Sequence, residues 1–409
     1  MAIRRHVRTM AACAAVLGFI APARADDTIR IGVLTDMSGP YSDIAGRGSV
    51  AAAQLAIGEF GGNVGGRRVE IVAADHQNKP DIGSATARKW FDNEGVDVIV
   101  DVITSSVALA VQHIARDKNK VVIFSGAGAD QLTGAACTQN SFVWSWDTYA
   151  LANVASKAFA RENLKDWYLI EVDYALGRAL EQGVRGALDR AGGKVVGVSR
   201  HPLGTSDFSS YLLQGQGSGA SVVALLNGGA DAVNSVKQAS EFRVNEKQTI
   251  ASLAMLINDV KALGLRDAQG LRITESFYWD LDDRTRAWSA RYGAKMNGAM
   301  PSMIQAGTYS AVRHYLRAVQ EAGTKDTDSV IKAMRALPVE DATVSAGAHL
   351  RGDGRLMRDF YSFRVKRPSE SRAEWDLYEK IATIPAAEAA VPSEQSACPL
   401  MKRSQPPAR

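Results

Sequence analysis

Residues 29–62 read IRIGVLTDMSGPYSDIAGRGSVAAAQLAIGEFGG, and this one stretch contains a strand, a turn and a helix. The apolar run 29–34 predicts a buried strand, and Ser38-Gly39-Pro40-Tyr41 predicts a turn. The apolar spacing over 44–60 predicts a helix that ends at Gly61-Gly62. Because a helix that follows a buried strand favours a parallel sheet covered by helices, the predicted fold class is α/β.

The same alternation continues along the chain and starts again after residue 150. The first series adds strands at 69–73, 96–102 and 121–124, with helices at 82–91 and 107–116. The second series has strands at 167–172, 194–198, 221–226, 249–253 and 271–274, with helices at 177–191, 206–213 and 230–242. Helices at 284–296, 302–322 and 328–336 follow, and then strands at 358–365 and 375–384. Two similar series in a chain of 409 residues predict two lobes rather than a solenoid.

The N-terminus has the pattern of a secretory signal peptide. Three arginines among the first eight residues precede an apolar run at 10–20, and Ala23-Arg24-Ala25 supplies the small residues of a cleavage site. The run is too short to cross a bilayer, which needs about 20 apolar residues. We predict that residues 1–25 are a signal peptide removed after Ala25, and that the mature protein is periplasmic. Lipid attachment at Cys13 is disfavoured because this cysteine lies inside the apolar run.

The charge balance argues against polyanionic partners. The chain has 48 Lys and Arg against 44 Asp and Glu, and the leader holds four of the arginines and no acid, which leaves 44 against 44. A mature chain without net positive charge has no electrostatic reason to bind nucleic acid or an anionic membrane. We therefore predict neither as a partner.

Two cysteines, Cys137 and Cys398, remain after the leader is removed. In an oxidising compartment this number favours one disulfide, and the alternative is two unpaired buried thiols. A bond to Cys137 would also explain why the Pro/Ala/Ser/Glu-rich tail after Ile384 carries a cysteine at all.

The sequence lacks the common catalytic motifs. It has no phosphate-binding P-loop, no His-Glu-x-x-His and no Gly-x-Ser-x-Gly. Gly126-Ala127-Gly128 lacks the third glycine of a dinucleotide site. His76 beside Asp75 has metal-binding chemistry, but we expect an exposed loop pair there. These observations predict a protein that is not an enzyme and has no cofactor and no metal.

Four loops that follow predicted strands are candidates for a ligand site. Parallel α/β sheets bind ligands at this edge, where backbone N–H groups and helix N-termini converge. The loops are Ser38–Tyr41, Thr104–Ser106, Ser125–Ala129 and Trp144–Tyr149. Hydroxyls at 104–106 suit helix capping or a carboxylate ligand, and the glycines at 126–128 suit a tight turn or close approach to a ligand. Trp146, between the two series, is either hinge packing or a wall of the cleft.

Three segments together resemble a known family. IGVLTDMSGPY at 31–41, DYALG at 173–177 and TSDFS at 205–209 resemble the leucine/isoleucine/valine-binding class of periplasmic receptors. The resemblance implies the type I periplasmic binding protein fold, with two Rossmann-like lobes of parallel sheet joined by a three-strand hinge. It also implies a receptor of an ABC importer that catches its ligand by hinge closure.

The resemblance also implies where the lobes lie. We predict an N-terminal lobe at 26–146 plus about 272–340 and a C-terminal lobe at 147–271 plus about 341–384. The tail at 385–409 is predicted to return to the N-terminal lobe.

The site residues follow from the same resemblance. The ligand carboxylate is expected on the first lobe, at Thr104, Ser105, Ser106, Gly126, Ala127 and Gly128. The second lobe departs from the amino-acid receptors, since Leu176 replaces a tyrosine, although Tyr174 is nearby. The loop with Asn227 and Asp231 also lacks the family's tyrosine. An ammonium group would need Asp231 or Asp259.

These departures resemble a subgroup of receptors for aromatic acids. The similar segments are WDTY at 146–149, FYWD at 277–280 and CPL at 398–400. A flat acid needs stacking walls, for which Tyr41, Trp146 and Tyr278 are the candidates. An aliphatic amino acid and an aromatic acid both remain open as the ligand.

The function predicted is a monomeric periplasmic solute-binding protein. It would deliver a small organic carboxylate to the permease and ATPase complex of an ABC importer at the inner membrane. The alternative is a receptor of the same fold that presents its ligand to a membrane sensor.

Overall fold

The computed structural model describes residues 27–403, so the predicted leader and its cleavage site lie outside the described residues. The first lobe is built on a six-stranded sheet of order β2-β3-β1-β4-β5-β6, in which only β2 is antiparallel to its neighbour. Its strands are β1 (Ile29–Thr35), β2 (Asn63–Val64), β3 (Arg67–Asp75), β4 (Val98–Asp101), β5 (Val121–Phe124) and β6 (Ser141–Val143). The helices between them are α1 (Gly46–Glu59), α2 (Pro80–Asn93) and α3 (Ser105–Asp117).

The second lobe is built on a four-stranded parallel sheet of order β10-β9-β7-β8. Its strands are β7 (Asp166–Val172), β8 (Lys194–His201), β9 (Val222–Gly228) and β10 (Thr249–Ala254). The helices are α4 (Thr148–Arg161), α5 (Ala175–Ala191), α6 (Ser209–Gly217), α7 (Gly229–Glu241), α8 (Ile257–Leu263) and α9 (Leu265–Ala268). Strands such as β9 are buried along their whole length, as expected for a sheet that is covered on both faces.

The last third of the chain contributes to both lobes. Its strands are β11 (Arg272–Glu275), β12 (His349–Leu350), β13 (Leu356–Met357), β14 (Phe360–Val365) and β15 (Tyr378–Ile384). Its helices are α10 (Asp283–Lys295), α11 (Met303–Ala322), α12 (Thr327–Ala336), α13 (Ala386–Ala389) and α14 (Pro399–Arg403). Helices α10 and α11 pack on α1 of the first lobe. Strands β11, β14 and β15 form an antiparallel sheet of their own.

The predicted α/β fold class is confirmed, and most predicted elements lie within a few residues of their observed ends. Helix α4 was not predicted, because Trp144–Tyr149 was interpreted as a loop. Its start is fixed by Asp147, whose side chain accepts a hydrogen bond from the Ala150 N–H at 2.8 Å. The residue limits of the lobes stay a prediction. Strand β11 was assigned to the N-terminal lobe, but it pairs with β14, which was assigned to the C-terminal lobe.

Buried charges hold the segments that connect the lobes. Asp147, between β6 and α4, forms an ion pair with Arg355, and both side chains are almost fully buried. Burial lowers the pKa of Arg355 to about 9. Nearby, the Arg358 guanidinium donates to the carbonyls of Ser276 and Thr343, each at 2.7 Å. Loss of one partner of such a buried pair costs roughly 3–5 kcal/mol, because the other charge is left uncompensated.

The C-terminal segment runs back from β15 to the first lobe as a strap, which we define as residues 385–398. Cys398 at its end is bonded to Cys137, which confirms the predicted disulfide over the alternative of unpaired thiols. Along the way the Asn153 side chain donates to the Glu388 carbonyl at 3.0 Å, and Arg351 donates to the Val391 carbonyl at 2.7 Å.

Helices within residues 27–403 are all too short or too polar to cross a membrane.

The disulfide generates the first testable prediction. In Cys137→Ser/Cys398→Ser the unfolded chain regains the freedom that a cross-link over 261 residues removes. We expect the free energy of unfolding to fall by about 2–4 kcal/mol, measured by guanidinium denaturation followed by circular dichroism. The wild type in reductant should behave like the double variant, and an unchanged midpoint in both would contradict the prediction.

Candidate functional site

A cavity lies between the two lobes, with about 370 Å³ of space free of atoms when the space open to solvent is included. Both lobes supply its walls, mostly from loops at the carboxyl ends of parallel strands, where the fold predicts a ligand. The lining residues are Tyr41, Ile44, Ile103, Ser105, Gly126, Trp146, Leu151, Tyr174, Leu176, Gly228, Ala254, Leu256, Met303 and Ile304.

The first-lobe wall is shaped by a strained turn after β4. Asp101 and Val102 have φ of 77° and 51°, in the left-handed region that a β-branched residue such as Val102 rarely adopts. This turn packs under Gly126, where an added Cβ would lie 2.5 Å from Asp101 Oδ1 and from Ile103 Cα. Position 126 therefore requires glycine, which keeps the two loops close together.

Helix α3 begins at the cavity and offers donors for an anion. Its first residue, Ser105, lines the cavity and is buried. The hydroxyl of the preceding Thr104 donates to the Asn78 side chain and does not cap the helix. The first N–H groups of a helix have no partner within it and carry the positive end of its dipole. The start of α3 is therefore suited to a carboxylate.

Two hydrogen bonds join the lobes across the cavity mouth. The Tyr41 and Tyr174 hydroxyls lie 2.6 Å apart. The Ala230 N–H donates to the Pro40 carbonyl at 3.1 Å. At Gly229, with φ of 60°, an added Cβ would lie only 2.2 Å from that carbonyl oxygen, so this contact also requires glycine. Burial and the neighbouring hydroxyl raise the pKa of Tyr41 well above its usual value.

The acids proposed for an ammonium group are engaged elsewhere. Asp231 Oδ2 accepts from the Gly204 N–H at 3.1 Å, and Asp259 Oδ2 accepts from the Leu256 N–H at 2.8 Å. Both carboxyls are buried, and neither lines the cavity. Burial raises the pKa of Asp231 to about 6 and that of Asp259 to about 7.

Glu275, the last residue of β11, is a buried carboxyl that sequence analysis did not single out. It accepts a hydrogen bond from the Tyr378 hydroxyl at 2.9 Å. The backbone N–H groups of Ile257 and Met303, at the starts of α8 and α11, face the same carboxyl. One side chain thus links helices of both lobes next to the cavity, which Met303 lines.

Five of the predicted site residues come together in the cavity lining: Tyr41, Ser105, Gly126, Trp146 and Tyr174. The others lie outside it: Thr104, Ser106, Ala127, Gly128, Asn227, Asp231 and Tyr278. Gly128 leaves room for the Trp146 ring, since an added Cβ would lie 2.5 Å from that ring. Asn227 is bonded to His201 at 3.1 Å. Tyr278 stacks on Tyr378 in the second-lobe core, with ring centroids 5.0 Å apart.

The cavity also has apolar walls that sequence analysis missed, such as Ala254, Leu256, Met303 and Ile304. Ala254 is the last residue of β10 and Leu256 follows it, so their position at the end of a strand was an available signal. Met303 and Ile304 begin a helix that no strand precedes directly, and the sequence contains no comparable signal for them.

His76 requires a correction. It was expected in an exposed loop, but it is fully buried, and its Nδ1 accepts from the Asn78 N–H at 3.0 Å. Burial lowers its pKa to about 4. Within residues 27–403 we find no group of three or more His, Cys, Asp or Glu side chains placed to hold a metal ion.

Two α/β lobes that enclose one cavity between them define a receptor for a small molecule. The chain belongs to the periplasmic binding protein family, whose sequence profile matches residues 28–372. This confirms the family resemblance and the type I periplasmic binding protein fold predicted from the sequence.

Solved structures give the same assignment. A periplasmic binding protein from Burkholderia mallei is 44% identical, with 92% of this chain and 100% of that chain covered and a TM-score of 0.90. A branched-chain amino acid ABC transporter periplasmic ligand-binding protein from Burkholderia xenovorans is 41% identical, with coverage of 91% and 100% and a TM-score of 0.82. A solute-binding protein from R. palustris in complex with benzoate shares the fold, at 21% identity, coverage of 91% and 100% and a TM-score of 0.80.

Among curated relatives, Leu/Ile/Val-binding protein homolog 6 from Brucella melitensis is 28% identical. The match covers 54% of this chain and 57% of that protein. The chain thus spans about half the length of the first curated relatives that it matches.

The tyrosine pair generates a second prediction. Tyr41→Phe removes a hydrogen bond between the lobes, which is worth about 1 kcal/mol, so affinity for the ligand should fall about fivefold. Tyr309→Phe is the matched control, because the buried Tyr309 hydroxyl bonds Glu59 within the first lobe. Calorimetric titration measures the ligand affinity of both variants. An equal loss of affinity in the two would contradict a specific role of the Tyr41 hydroxyl in closure.

Glu275 generates a third prediction, on pH. Burial raises its pKa to about 8, above the value of about 4.3 for an exposed glutamate. The stability that this group contributes is therefore full below about pH 4 and is lost as pH rises through about 8. Glu275→Gln should flatten the fall in unfolding temperature between about pH 5 and 8. Glu394→Gln, on an exposed side chain, controls for the lost charge, and an unchanged slope in Glu275→Gln would contradict the assignment.

Proposed function

We propose that this protein is the periplasmic solute-binding protein of an ABC importer. It captures a small organic carboxylate, either an amino acid of the branched-chain type or an aromatic acid, and delivers it to the membrane permease and its ATPase. It acts as a monomer after cleavage of the leader near Ala25, and it makes or breaks no bond in its ligand.

The observation that carries this proposal is the cavity between the lobes. Its walls come from both lobes, and the Tyr41–Tyr174 and Pro40–Ala230 contacts close it. A ligand held there touches both lobes at once and therefore stabilises the closed arrangement over any open one. The difference between open and closed forms is what a permease can recognise.

The cavity has two chemically different ends, one polar and one apolar. The start of α3, with Ser105 and the backbone at Gly126, suits the carboxylate. Apolar side chains such as Ile44, Leu151 and Leu256 suit an apolar body. The 41% identical Burkholderia xenovorans protein, a branched-chain amino acid ABC transporter periplasmic ligand-binding protein, agrees with a small organic carboxylate as the ligand.

A binding screen tests the proposal directly. Branched-chain amino acids and benzoate- and cinnamate-type acids are compared for their effect on the unfolding temperature. A ligand at 100 times its Kd adds about 2.7 kcal/mol to the free energy of unfolding. Small-angle scattering then measures closure, which should reduce the radius of gyration. Stabilisation by none of these compounds would count against the proposal.

Ser105 generates the fourth prediction. Ser105→Ala removes one hydroxyl from the carboxylate end of the cavity while the helix N–H groups stay in place. A hydrogen bond to a charged group contributes about 1.5–3 kcal/mol, so affinity for the screen's best ligand should fall at least tenfold. Ser329→Ala is the matched control, because Ser329 lies in the first turn of α12 and bonds Asp326. Equal ligand affinities of the two variants would contradict the assignment of Ser105 to the ligand site.

A further inference from the structure

The cavity lining is uncharged. Within residues 27–403, the side chains that line it include no Asp, Glu, Lys, Arg or His. Its polar side chains are Tyr41, Ser105, Tyr174 and Trp146, and the Trp146 ring N–H is already bonded to the Gly126 carbonyl at 3.1 Å. The charge of any ligand must therefore be matched by backbone groups and helix ends.

Helix ends give the cavity a positive polarity. Helices α3, α5, α7 and α11, of 13 to 20 residues, all begin at residues that line the cavity or directly follow such residues. A helix N-terminus carries about half a positive charge. Asp231 offsets this in the first turn of α7, and the Glu275 carboxyl faces the start of α11. The first turns of α3, in the first lobe, and α5, in the second, contain no acid.

Three carboxylates next to the lining segments each accept a hydrogen bond from a backbone amide. Asp36 accepts from the Tyr41 N–H at 2.9 Å, and Asp231 and Asp259 accept from the N–H groups of Gly204 and Leu256. The raised pKa of Asp259, about 7, weakens it further as a counter-ion near neutral pH. None of these carboxylates lines the cavity, so an ammonium group there has no charged partner in the lining.

We propose that the ligand of this cavity is a carboxylate that lacks an α-ammonium group. Its carboxylate lies at the start of α3, and its apolar, uncharged body lies against the aliphatic walls. An amino acid would bring a cation into a cavity that has helix N-termini but no carboxylate in its lining to receive it, and burial of an unpaired charge is strongly unfavourable. This inference rests on the proposed function and narrows its ligand class.

The experiment compares matched pairs of compounds that differ in the ammonium group. L-leucine is paired with 4-methylpentanoate, and L-phenylalanine with 3-phenylpropanoate, each by calorimetric titration of the mature protein. We expect the deaminated member of at least one pair to bind at least tenfold more tightly. Tighter binding of the amino acid would overturn this inference and leave the carboxylate site standing. Failure of all four to bind would overturn both.

A pair of near-isosteric variants tests the cause. Leu256 lines the second-lobe wall, so Leu256→Glu places a carboxylate in the cavity and Leu256→Gln places a neutral amide of the same size. Relative to Leu256→Gln, we expect Leu256→Glu to shift the preference at least tenfold towards the amino acid of each pair. An unchanged preference between these two variants would overturn the electrostatic explanation.

Discussion

A parallel sheet places the carboxyl ends of all its strands, and the starts of the helices that follow them, at one edge. This protein has two such sheets, and the cavity lies where those edges meet. Every polar feature of the site follows from that constraint. The donors at α3, the strained turn at Asp101 and Val102, and the contact of Gly229 with Pro40 all lie in loops after strands. The fold therefore favours an anion before any particular side chain is considered.

The connections between the lobes are stronger than the contacts that close them. The connections contain the buried Asp147–Arg355 pair, and the strap is covalently fixed at Cys398. Across the cavity mouth, the Tyr41–Tyr174 and Pro40–Ala230 hydrogen bonds contribute only about 1 kcal/mol each. This difference suits a receptor whose lobes stay joined while the mouth opens. In the proposed mechanism, a ligand with modest differential affinity is then enough to shift the balance between the open and closed forms.

The fold was largely predictable because buried parallel strands are continuous apolar runs, as at 121–124 and 222–226. The features that were not predicted depend on contacts between segments that are far apart in the sequence. The antiparallel pairing of β14 with β11 and β15 is visible only once the lobes are assembled. Each of the four predicted loops contributes a residue to the cavity lining, but the sequence did not indicate the direction of the other side chains. Tyr278 was expected in the cleft, yet it packs into an aromatic cluster with Phe363 and Tyr378, because that cluster buries its ring more completely.

Selectivity in such a site depends on which helix ends keep their charge. An ionised acid in the first turn of a helix offsets its dipole, as Asp231 does for α7, whereas Glu275, with a pKa of about 8, is largely uncharged near neutral pH. Helix α7 then contributes a wall but a weaker field, while α3 and α5, whose first turns contain no acid, act on the ligand from opposite lobes. In the proposed mechanism, a carboxylate is attracted by both helices and so favours closure, whereas an ammonium group is repelled by both and opposes it. The same field would then both select the ligand and favour closure.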